Sequence, residues 1–158
     1  MTSEERRAKI DGIRALPSVL EEAVKGLNDR QLDTPYRDGG WTVRQVVHHL
    51  ADAHMNAFIR MKLILTEQKP AFKSYDQNAW AALSDTTQMP VGVSLEILRG
   101  LHDRWAMLLD RVPEVDWTRT AVHPERGEVT LEGQLSVYAG HGEKHVEHIK
   151  SLRRVRGW

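Results

Sequence analysis

The chain's 158 residues, 41% of them hydrophobic, suit one domain spanning 1–158 with a core of its own. Its 22 basic side chains balance 22 acidic ones, so no overall field favours nucleic acid or an anionic membrane. No apolar run reaches the roughly 18 residues of a membrane span and Met1–Ile10 is charged rather than signal-like, which predicts a cytoplasmic protein.

Ile10, Ile13, Leu16, Leu20, Val24 and Leu27 follow helical spacing and predict a first helix, kinked or restarted at Pro17. A turn-rich loop, Thr34–Gly40, leads to the sharpest boundary in the chain. Thr42 and Gln45 form a capping box and Trp41 and Val46 a hydrophobic staple, so a second helix begins at Val43 and runs to about Thr66. His54 falls on its apolar face, His49 on the flank near Asp52, Asn56 and Arg60, and His48 on the far side. Periodicity alone selects no ligand among them.

The long connection from Lys69 to Gly92 holds one short helical candidate, Asp76–Leu83, and connections of this length are often lids or crossovers. Ser94 opens a third helix with Leu95, Leu98, Leu101, Trp105, Leu108, Leu109 and Val112 on its inner stripe and Pro113 at its end; His102 and Trp105 read as core or edge residues. Extended alternation from Trp117 to Thr130 around Pro124–Gly127 predicts a short hairpin, with His123 in the loop. Thr130 caps a last helix that runs to Gly157. Four long amphipathic helices with one long crossover predict an all-α four-helix bundle.

On the last helix His141 and His145 stand four residues apart, which stacks two imidazoles on one edge beside His148. Such a pair suits Zn²⁺, Ni²⁺ or Cu²⁺, although a solvated face has the same spacing. Gly140 and Gly142 each cost about 1 kcal/mol of helix propensity relative to alanine, so they suggest that room is needed there. Cysteine is absent, which leaves only His, Asp and Glu to hold a metal; such sites are more often catalytic or labile than closed structural ones. A zincin protease is excluded because Gly142 stands where His-Glu-x-x-His needs its glutamate, and Glu143 and Glu147 point away as surface charge. No glycine-rich loop follows a strand, no nucleophile elbow exists, and 6% aromatic content is thin for a haem pocket.

The run Asp33–Asp52, with Tyr138–Ile149, Leu95–Trp105, His123 and Pro124, resembles the YfiT family of the DinB-like superfamily, metal-binding four-helix bundles described as metal-dependent hydrolases. The resemblance implies one divalent metal, zinc or nickel, on His49, which follows Trp41 by eight residues, and on His141 and His145. His148 is implied as a supporting residue, and the helical wheel adds Asp52 and Arg60 as residues that could orient ligands or substrate. It also implies an enzyme acting on a small molecule, with water activated by the metal as nucleophile, and a homodimer. The alternatives are transfer of a low-molecular-weight thiol of the bacillithiol type and a non-catalytic metal- or ligand-binding stress protein. The chain departs from the family at Gly140, where members carry tryptophan, and at Glu143 and Lys144, where they carry basic or histidine residues; these changes are expected to alter the pocket wall. The N-terminal arm usual in the family is also expected to be missing, because Met1 leads almost directly into the first helix.

Overall fold

The computed structural model describes residues 1–158. Four long helices build it: α1 (Ser3–Val24), α3 (Val43–Thr66), α6 (Val91–Leu109) and α7 (Leu131–Arg156). Short helices lie between them: α2 (Asp29–Leu32), α4 (Gln77–Ala81) and α5 (Ser84–Gln88), with a 3-10 turn at Glu114–Thr118. Strands β1 (Thr120–His123) and β2 (Gly127–Thr130) pair antiparallel as the expected hairpin, with Ala121 opposite Val129. Helices α1 and α3 each pack on both α6 and α7, so α1 and α3 stand diagonally across the bundle.

Local chemistry accounts for the helix ends. Thr42 accepts from the Gln45 amide while the Gln45 side chain caps the Thr42 amide, as predicted. Thr130 caps α7 through the Gly133 amide, and Gly157 closes it in the left-handed conformation at φ 68°. Several boundaries differ from expectation: α1 ends at Val24 rather than Leu27, and α6 at Leu109 rather than just before Pro113. Helix α6 begins at Val91, directly after Pro90, rather than at Ser94, because Ser94 is buried and its hydroxyl engages His48 instead of capping. Helix α1 starts at Ser3 behind a Thr2–Glu5 capping box and runs through Pro17 without a break.

A proline inside a helix deletes the bond that its amide would make to the carbonyl four residues earlier. Here that carbonyl belongs to Ile13, which is buried. It accepts instead from His102 Nδ1 at 2.6 Å, so a neighbouring helix supplies the donor that Pro17 removed.

The apolar core falls into two clusters. One gathers Ile10, Ile13, Met61, Ile64, Trp105, Leu109, Leu131 and Leu135. The other gathers Leu16, Leu20, Val46, Val47, Leu50, Leu98, Val146 and Ile149. The boundary crosses α3 between Ala51 and Ala57, α6 between Leu98 and Trp105, and α7 between Tyr138 and Val146. His54, His102 and His141 occupy those three gaps, and a polar layer therefore divides the bundle.

Of the two glycines beside that layer only one makes room. A Cβ on Gly142 would stand 2.4 Å from Leu16 Cδ2, whereas one on Gly140 meets nothing within 4 Å. Gly140 is exposed, so its departure from the family pattern alters an outer surface and no wall of the histidine cluster. Alanine gains about 1 kcal/mol of helix propensity at either position, but overpacking costs about 1–3 kcal/mol at 142 alone. Gly140→Ala is expected to raise the melting temperature and Gly142→Ala to lower it or leave it unchanged, as read by circular dichroism.

Candidate metal centre

Helix α3 carries His49 on the flank facing α7, and the i, i+4 stacking on α7 brings His141 and His145 to the same point. One nitrogen from each imidazole lies within 4.8 Å of the others, a cluster that can hold a metal ion. His49 Nε2 and His141 Nε2 are 3.2 Å apart. Two imidazole nitrogens bound tetrahedrally at about 2.0–2.1 Å stand roughly 3.3 Å apart, so this pair already has the spacing of two ligands. His145 Nδ1 is buried with no hydrogen-bond partner. The donor set fits a borderline divalent cation such as zinc or nickel.

Burial, and then their neighbours, keep these rings neutral. The pKa of His49 is depressed to about 3 by burial and the proximity of His145. That of His141 falls to about 4 through burial, His49 and Lys144. That of His145 falls to about 3 through burial, His141, His148 and Lys144. Neutral imidazoles have a free lone pair each, which is what metal ligation requires.

The direction of one lone pair is set from far away. His102 Nε2 meets His54 Nδ1 at 2.9 Å, and His54 Nε2 meets His141 Nδ1 at 3.2 Å. A carbonyl only accepts, so Ile13 obliges His102 to carry its proton on Nδ1 and to leave Nε2 bare. His54, wholly buried and held well below its ordinary pKa by that burial and by the surrounding histidines, must then donate from Nδ1 and accept at Nε2. His141 in turn donates from Nδ1, and its bare Nε2 faces the centre. The chain of rings passes from α1 through α6 and α3 to α7, the order in which the helices pack.

The remaining histidines and implied supporters divide. His48 serves the α3–α6 seam, where Nε2 donates to the Met89 carbonyl at 3.0 Å and Nδ1 accepts from Ser94 at 2.7 Å. His148 stands beside His145, ring centroids 5.6 Å apart, and stacks on Tyr36 at 4.4 Å. The carboxylate of Asp52 makes no hydrogen bond to the three imidazoles; burial and Asp85 raise its pKa. Trp41 packs on His49 at 4.6 Å between ring centroids and covers one side of the cluster. His54 and His102 were not selected by spacing, because a histidine on an apolar stripe reads as packing until the facing helix is known.

Beside His141 a pocket of about 100 Å³ opens between α3 and α7. Ala53, Arg60 and Tyr138 form its helical walls, and the crossover (Ser74, Tyr75, Gln77) and hairpin (His123, Glu125, Arg126) cover it. Phe72 and Val122 tie these covers together by backbone hydrogen bonds. Arg60 lines this pocket rather than touching the imidazole cluster, donating to Tyr138 Oη at 3.2 Å and to the Lys73 carbonyl at 2.6 Å.

Residues 13–149 match the family description "DinB superfamily". The chain is 46% identical to "Putative metal-dependent hydrolase YfiT" of Bacillus subtilis over 159 residues, covering 100% of this chain and 89% of that protein. A protein of the same description from Oceanobacillus iheyensis is 48% identical over 149 residues, 94% of this chain and 86% of its own. A solved structure of Bacillus subtilis YfiT, described as "a probable metal-dependent hydrolase with an unusual four-helix bundle topology", superposes with TM-score 0.98 at 45% identity, covering 100% of this chain and 91% of that one. By family match, sequence and fold together, the chain belongs to the DinB superfamily as one of its YfiT-like members.

Proposed function

We propose that the protein is a divalent-metal-dependent hydrolase whose metal is held by His49, His141 and His145. The observation that carries this reading is the convergence of three neutral imidazoles on one point, one of them with its lone pair turned inward by the Ile13–His102–His54 chain. The names of the relatives agree with it. Three protein ligands leave further coordination positions open, the pattern of catalytic rather than structural sites. A zinc or nickel ion bound there supplies a Lewis acid that brings the pKa of water toward neutrality and polarises an electrophile.

The protein's own residues do the rest. Tyr36 stacks on His148 and Trp41 packs at a tilt on His49, so the two rings wall the histidine cluster. The pocket beside His141, lined by the crossover and the hairpin, admits the substrate. The polar layer holds His141 in one tautomer, so the ligand set is preorganised rather than assembled on binding.

Metal analysis and titration test the ligand set. Wild type is expected to bind one zinc or nickel ion per chain, alanine at His49, His141 or His145 to abolish stoichiometric binding, and His48→Ala to leave it intact. Replacing His54 by leucine is expected to weaken binding by about 10–100-fold although it touches no metal. Full metal content in His49→Ala contradicts the assignment. Turnover of an activated ester by the loaded protein without added thiol supports hydrolysis; turnover only when a thiol is supplied reassigns the reaction to thiol transfer.

The burial that frees the lone pairs also makes the metal-free fold acid-sensitive. Histidines with an ordinary pKa of 6.5 titrate here at about 3 to 4, so below pH 6.5 the unfolded chain binds protons that the folded chain refuses. Their contribution is complete above pH 6.5 and lost as pH falls toward the folded values. The melting temperature of the metal-free protein is expected to drop from pH 7 to pH 5, where most carboxylates are still charged. A flat profile contradicts neutral burial.

A further inference from the structure

Three arginines are buried in this protein: Arg6, Arg44 and Arg60. Arg6 is paired with Glu114 and Glu132, and Arg44 with Asp29 and Asp33. Arg60, 8% exposed, has no carboxylate partner. Its acceptors are neutral, the Tyr138 hydroxyl and the Lys73 carbonyl, and the Phe72 ring lies 5.4 Å from its guanidinium carbon. A buried charge is costly unless paired, and a guanidinium carries five donors, of which these contacts use two.

The unpaired cation lines the pocket that reaches His141. His49, Ala53, Asn56 and Arg60 succeed one another along one face of α3 at i, i+4, i+7 and i+11. Ala53 is small, which leaves space between the imidazole cluster and the guanidinium. Arg126, from the hairpin, adds a second cation at the exposed mouth of the pocket, beside one exposed carboxylate, Glu125. Tyr75, Ser74 and Gln77 add polar groups from the crossover. The pocket is small, about 100 Å³, and its lining is mostly polar.

From this juxtaposition we infer that the pocket is an anion subsite: Arg60, assisted by Arg126, binds a carboxylate or phosphoryl group of the substrate while the reacting group lies at His49, His141 and His145. The inference rests on the hydrolase reading for what happens at the imidazoles, but the subsite itself is a property of the pocket. It narrows the substrate to a small molecule with an anionic end set apart from its scissile bond. A charge-assisted, bidentate contact to a planar guanidinium is the recognition expected of such a group.

The test is a titration of the full-length, ¹⁵N-labelled protein with propionate, inorganic phosphate and the neutral isostere propionamide, in zinc-loaded and metal-free forms at fixed ionic strength. Propionate or phosphate is expected to move the Arg60 Nε–Hε resonance in both forms, and propionamide to leave it unmoved. Whichever anion binds more tightly identifies the group as carboxylate or phosphoryl. Arg60→Gln is expected to weaken anion binding about tenfold or more with metal content unchanged, and Arg126→Gln to weaken it less. Equal anion affinity in wild type and Arg60→Gln, or an Arg60 resonance indifferent to both anions, overturns the subsite. The resonance is read in wild type, so it decides the matter even if Arg60→Gln does not fold. Failure of the hydrolase reading looks different: no stoichiometric metal, with anion binding at Arg60 retained.

Discussion

The hydrogen bond from His102 to the Ile13 carbonyl is the contact on which the interior of this bundle depends. Pro17 creates the need for it by removing an amide from the middle of α1, where a buried carbonyl must find another donor. Once His102 supplies that donor, its second nitrogen can only accept. The same constraint passes to His54 and then to His141, each ring fixed by the one before. A proline in the first helix thus determines which nitrogen of a residue on the last helix faces the candidate metal centre.

Such a layer is a hazard unless every member is satisfied, because half-paired polar groups in a low-dielectric core cost more than an apolar packing would. Here the chain is closed at one end by a carbonyl and open at the other only at His141 Nε2, which faces His49 Nε2. The two apolar clusters above and below hold the rings at these separations, and Gly142 lets Leu16 approach α7 beside the layer. Stability and site geometry are therefore set by the same packing. The crossover and hairpin add the remaining part, a covered pocket in which Arg60 is the one buried arginine without a carboxylate.

Much of this was legible in the chain. The capping box at Thr42 placed the start of α3, and the stacking of His141 on His145 followed from helical spacing. The family resemblance points to His49 rather than His48, and in the structure both ring nitrogens of His48 are engaged by Met89 and Ser94. Ser94 misled as a helix start because its hydroxyl answers a histidine on another helix, a demand local sequence does not reveal. Pro17 does not restart α1, because the carbonyl it orphans finds its donor on another helix. The signal for the polar layer was present, since a proline at 17 orphans the carbonyl at 13 and His54 and His102 interrupt apolar stripes. Joining them required the heights of four helices relative to one another, which no single stripe encodes.

In the metal-free protein the Ile13 carbonyl dictates the tautomer of His141 through His102 and His54. Long-range ¹H–¹⁵N correlation spectra of the metal-free protein near neutral pH read it directly. The expected result is a protonated Nδ1 and a bare Nε2 on His102, His54 and His141 alike. A proton on Nε2 of His54 or His141, or a doubly protonated ring at either, would contradict it.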